Sequence, residues 1–104
     1  YQTKGWDLMI IERDEQWMNG LKWLRRAEGM LPNYLKHTAE HAEFEECLEV
    51  GDFTTALEIL EDISLSDDET THKRHYWLCM SETARILGRL DKEEEYKNRA
   101  EKCV

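Results

Sequence analysis

His37-Thr38-Ala39-Glu40-His41 carries the sharpest chemical spacing in the chain. On one continuous helix, residues four apart share a face, so both imidazoles would point the same way. Two histidines so placed can hold one zinc ion, with Glu40 as the general base that activates a metal-bound water. His72, His75 and Cys79 form a second set that also falls on one side of a helix. If the two sets met across a bundle, a metal site would form between them. The competing expectation is plainer. His41 and its neighbours run among Tyr34, Phe44 and Leu48, which reads as packed or rim histidines on an apolar stripe. His37, His41, His72 and His75 are therefore kept as metal candidates, while no metal and no cofactor is expected.

Cys47, Cys79 and Cys103 are isolated, without CxxC or zinc-ribbon spacing. Three unpaired thiols packed as small hydrophobes suit a reducing cytoplasm better than a disulfide framework. There is no glycine-rich phosphate loop and no nucleophile elbow, so an enzyme is not expected.

Charge is more informative. The chain of 104 residues has a formal net charge of −9. Residues 37–72 hold twelve Asp/Glu and no Lys/Arg, whereas 1–36 net +1 and 73–104 net +2. One reading is a solvated face neutralised by Lys22, Arg25, Arg26, Arg85 and Arg89 of neighbouring helices. The other is a docking surface for a basic partner, since clustered charge of one sign speeds association and rejects wrong partners. Glu40, Glu43, Glu46, Glu49, Asp52, Asp67, Asp68 and Glu69 are the candidate contacts. Trp23, or Tyr76, is a candidate anchoring aromatic. Such a surface repels phosphate, so direct nucleic-acid binding is not expected. No apolar run approaches the roughly 18 residues that span a bilayer, so no membrane association is expected.

The elements that must position these residues read as one all-α domain, 1–104, of about five helices. Trp6, Ile10, Trp17, Leu21 and Leu24 form one amphipathic stripe over a first helix from about Trp6 to Gly29, with Asn19-Gly20 a possible break. Trp23, Arg26 and Met30 lie off that stripe and would face solvent or a second neighbour. After Pro32, a second helix is expected from Asn33 to Val50. It has one apolar side through Tyr34, His41, Phe44 and Leu48 and another through Leu35, Ala39, Ala42 and Val50, as a helix sandwiched between neighbours would. Gly51 stops it and Asp52 caps a third helix, Phe53–Ile63. Ser66 with Glu69, and Asp91 with Glu94, read as capping boxes opening a fourth helix to Leu87 and a last one. Nothing alternates with period two, so no sheet is expected.

Two glycine-centred hairpins, at Gly51 and Gly88, lie 37 residues apart. The run Gly51-Asp52-Phe53-Thr54-Thr55-Ala56, with Leu60 and Ile63, resembles the turn and second helix of a tetratricopeptide repeat. Trp77, Ser81 and Gly88-Arg89-Leu90 fit the same template. Glu43 and Glu93 depart from it, and the spacing exceeds its usual period of about 34. The resemblance covers residues 40–103 and implies antiparallel helix pairs, either in a right-handed stack or in a compact bundle. It does not imply a ligand. The His37–His41 pattern also matches that of inverted zinc peptidases, which are much larger folds.

The function expected from these residues is that of a small acidic, non-catalytic module that neutralises or chaperones a basic protein in the cytoplasm. Its most concrete form is a bacterial immunity protein or antitoxin against a nuclease toxin, acting as a monomer or homodimer. Two alternatives follow from other features: a repeat-like scaffold or secretion chaperone holding a peptide in a helical groove, and a zinc hydrolase built on His37, Glu40 and His41.

Overall fold

The computed structural model of the chain describes the backbone of residues 3–103, and the side chains of Glu15 and of residues 17–103. Its elements are α1 (Thr3–Gly29), a 3-10 helix (Asn33–His37), α2 (Ala39–Val50), α3 (Phe53–Leu65), α4 (Asp68–Thr71), α5 (Arg74–Ile86) and α6 (Leu90–Lys102). No strand occurs among the described residues, so the fold is all-α. Two antiparallel hairpins, α2–α3 and α5–α6, are joined through α1, which packs on both α5 and α3.

Both hairpin turns rest on glycine. Gly51 and Gly88 adopt φ of +78° and +75°, a left-handed conformation in which a Cβ would crowd the following carbonyl. The Gly51 amide then donates to carbonyls of the last turn of α2, closing it as a left-handed C-cap. Asn19-Gly20 does not break α1, which runs through it. Gly20 is instead a contact point: a Cβ there would lie 3.1 Å from the Phe53 ring, so its absence lets α1 approach α3 closely.

The core is continuous. Leu24 and Ala27 of α1, Phe44 and Leu48 of α2, and Leu57 and Leu60 of α3 are all buried. They meet Tyr76, Trp77 and Met80 of α5 and Tyr96 and Ala100 of α6. Each buried aromatic satisfies its polar atom. The Tyr76 hydroxyl donates to the Leu60 carbonyl at 3.1 Å, and the Trp77 indole N–H donates to the Thr71 carbonyl at 3.0 Å. Trp17 of the expected α1 stripe is 42% exposed but stacks on Phe53. Trp6 and Ile10 of that stripe have side chains outside the described residues.

Several expected elements are cut differently, at Thr38, Ser66 and Asp67 because a side chain competes for the backbone. The helix expected over Asn33–Val50 is interrupted at Thr38, which is extended. Its hydroxyl donates to the Leu35 carbonyl and accepts from the His41 amide, closing the 3-10 helix and capping α2 together. The expected Ser66 capping box does not form. Ser66 bonds back to the Ile63 carbonyl, and Asp67 caps the short α4 by accepting from the Thr70 amide. Lys73 is extended and donates to the Met30 carbonyl, so α5 begins only at Arg74. α6 starts at Leu90 with Arg89 in the capping position, which leaves Asp91 inside the first turn. There its charge favours the helix dipole.

The second helix is not sandwiched. Leu35 is buried, but Ala39, Ala42 and Val50 face solvent, with Val50 80% exposed. Tyr34 is also exposed rather than part of the inner stripe, and its hydroxyl donates to Asp67 at 2.7 Å.

Candidate functional site

The twelve acids of the middle segment divide into those with an internal task and those without. Glu45 forms a two-pronged pair with Arg25, at 2.6 and 2.9 Å. Glu58 pairs with Arg89 at 3.3 Å. Glu61 is buried between the Tyr96 hydroxyl, at 2.6 Å, and Lys92, at 3.1 Å. Asp52 caps α3 by accepting from the Thr55 amide. Asp67 caps α4 and holds Tyr34, and its hydrogen bonds from Thr70 and Tyr34 keep its carboxyl below the ordinary range.

What remains is concentrated on α2. Glu40, Glu43, Glu46 and Glu49 are exposed, and none forms an ion pair among the described residues. Each three-residue step turns back about 60° around a helix and rises about 4.5 Å, so the four carboxylates sweep half of its circumference. Ala39, Ala42, Glu46 and Val50 recur at helical spacing and form one stripe, with Glu43 on one flank and Glu49 on the other. The outer face of α2 is thus a narrow strip of Ala39, Ala42 and Val50 with the Glu46 carboxylate within it and further uncompensated carboxylates at its edges. Asp62 is exposed on α3, and Asp68 and Glu69 form a separate exposed tip in the first turn of α4.

The inner edge of α2 is different. His41 Nε2 lies 2.5 Å from Glu28 and 3.7 Å from Glu45, and Arg25 reaches Glu28 at 3.0 Å. This network ties the C-terminal end of α1 to the N-terminal end of α2. Arg25 holds the Glu45 carboxyl below its ordinary range, and Glu45 in turn holds the guanidinium protonated. Glu28, His41 and Glu45 are the one group of three potential metal ligands that converges among the described residues. Arg25 already bonds both carboxylates, so a guanidinium stands where a cation would be drawn. Neither Glu28 nor Glu45 was expected here from the sequence. The available signal was the i, i+3 pair Arg25/Glu28 and the i, i+4 pair His41/Glu45.

The other metal candidates are not brought together. His37 ends the 3-10 helix, and the extended Thr38 separates it from α2, so the five-residue motif does not lie on one helix. The geometric premise of the zinc hydrolase reading is therefore lost. His72 is exposed with Nδ1 against the Asp68 carbonyl, and His75 is exposed on α5.

The aromatic candidates also separate. Tyr76 is fully buried and offers no anchor. Trp23 is half-buried with the Arg26 guanidinium 4.8 Å from its ring centre. Both line a cavity of about 580 Å³ between α1 and α5, with Met30, His75, Leu78 and Lys97. None of its lining residues comes from α2, so Trp23 and the α2 carboxylates belong to two surfaces.

No protein-family model matches the chain, and no curated protein or solved structure is significantly similar to it. No described helix is long and apolar enough to cross a membrane.

Proposed function

We propose that this protein is a non-catalytic binding module that docks a basic protein on the outer face of α2. The observation that carries the reading is the selective absence of compensation. Glu45, Glu58 and Glu61 are paired and Asp52 and Asp67 cap helices, whereas Glu40, Glu43, Glu46 and Glu49 lie on one helix, exposed and unpaired among the described residues; Asp62, Asp68 and Glu69 are exposed elsewhere. Four like charges along one short helix raise the cost of folding slightly, and a cationic partner removes that repulsion. A nuclease toxin is the concrete partner favoured here, because its substrate cleft must be basic to hold phosphate, and an acidic plug of this size would cover it. The protein is then a cytoplasmic immunity protein or antitoxin of a bacterial toxin.

The test pairs the purified protein with the product of the gene beside its own, assayed for nuclease activity. Complex formation and loss of nuclease activity are expected, both weakened by Glu43→Lys/Glu46→Lys/Glu49→Lys. Full inhibition by the triple variant, or no complex with the unaltered protein, would sink the proposal.

A further inference from the structure

We propose that the groove between α1 and α5 receives the outer face of α2 from a second copy of this chain. The groove has an apolar floor of Trp23, Met30 and Leu78, with Arg26, His75 and Lys97 around it. Its volume is about 580 Å³, and it lies between two packed helices, the setting in which a third amphipathic helix docks. Its charge favours an acidic occupant. Arg26 and its neighbour one turn back, Lys22, are exposed and form no ion pair among the described residues. Of the other charged lining residues, Glu82 is bound by Arg85 and Lys97 by Glu93, so Arg26 carries the uncompensated charge of the groove among the described residues.

The matching surface is on the same chain. The outer face of α2, with Ala39, Ala42 and Val50 around the central Glu46, is exposed and narrow, and Glu46 with the flanking Glu43 and Glu49 would fall near Arg26 and Lys22 when that face enters the groove. Alanines allow a close helix approach, and α2 is about 18 Å long. Within one chain α2 packs on α3 and the preceding 3-10 helix and meets α1 through Arg25, Glu28, His41 and Glu45, all on its inner side, which leaves its exposed outer face uncovered among the described residues. Groove and strip are different patches. A twofold arrangement exchanges them reciprocally, and a one-way contact continues into chains. The inference goes beyond partner docking because it adds a second surface, and Arg26→Glu tests that surface without altering α2.

Sedimentation velocity of the whole protein over a concentration series is the direct test. Reversible self-association is expected at low salt and its loss near 1 M salt, where the screening length is about 3 Å. Arg26→Glu and Glu46→Lys should each weaken it about tenfold or more. Both sites are exposed and unpaired among the described residues, so circular dichroism should show both variants folded. An equal mixture of the two should associate again, because the intact groove of one meets the intact α2 of the other. A monomer at every concentration in low salt overturns the proposal. So does an assembly that neither substitution weakens, or a mixture that does not recover. An acidic amphipathic peptide that binds the groove of a strictly monomeric protein would assign the groove to a foreign helix and likewise overturn it.

Discussion

Lys92→Met tests how the two hairpins are held together. Glu61 on α3 is buried, with the Tyr96 hydroxyl and Lys92 ammonium of α6 donating to it across that interface. Burial opposes its ionisation, but the hydrogen bonds from Tyr96 and Lys92 outweigh that and hold the carboxyl below its ordinary range. The Lys92 side chain is 23% exposed and that of Glu61 is 11%. The pair therefore lies between a surface pair, worth about 0–1 kcal/mol, and a fully buried one, whose breaking costs about 3–5 kcal/mol. Lys92→Met should cost about 2 kcal/mol, or roughly 8–16 °C in Tm for a domain of this size. Glu61→Gln in the Lys92→Met background should cost less than in the parent, because no charge is left buried. Urea titrations followed by tryptophan fluorescence, with unchanged m, supply the cycle. Because the folded carboxyl is depressed, its contribution is present above the unfolded pKa of about 4.3 and disappears as pH falls below it. The Lys92→Met penalty should shrink over that acidic range. A cost below about 0.5 kcal/mol, or strictly additive single effects, would refute the tie.

Other perturbations follow from the same structure. Gly51→Ala and Gly88→Ala should each cost about 1–2 kcal/mol, because both need positive φ. Gly51→Ala should cost more, since its Cβ would meet the Trp17 indole at 3.2 Å while that at Gly88 meets nothing; thermal melts of the pair decide the order. Thr38→Ala should cost about 1 kcal/mol by removing the cap of α2, measured by chemical denaturation. His41→Ala should loosen α2 from α1, read as faster amide exchange over residues 39–45 with α5 and α6 unchanged.

Periodicity and glycine punctuation made most of the fold legible. The hairpin turns at Gly51 and Gly88, the stripe of Leu57, Leu60 and Ile63, and the inward faces of α5 and α6 follow from residue types alone. The breaks were less legible, because apolar periodicity does not register the local side-chain caps of Thr38 and Asp67, and the Lys73 ammonium bonds the remote Met30 carbonyl. Gly20 was misleading for the same reason: its role is contact with Phe53, from another helix. The acidic segment was visible from composition, but its division was not. Whether Glu45 turns to Arg25 while Glu46 faces solvent depends on where α1 lies, as does the placement of Trp23 away from α2.

The central claim, that the α2 face docks a basic protein, is tested most directly by association rate against ionic strength. Stopped-flow mixing with the basic partner protein should give a rate that falls steeply with salt for the unaltered protein. It should be slow and nearly salt-independent for Glu43→Lys/Glu46→Lys/Glu49→Lys. Equal rates and equal salt slopes for the two proteins would contradict the account.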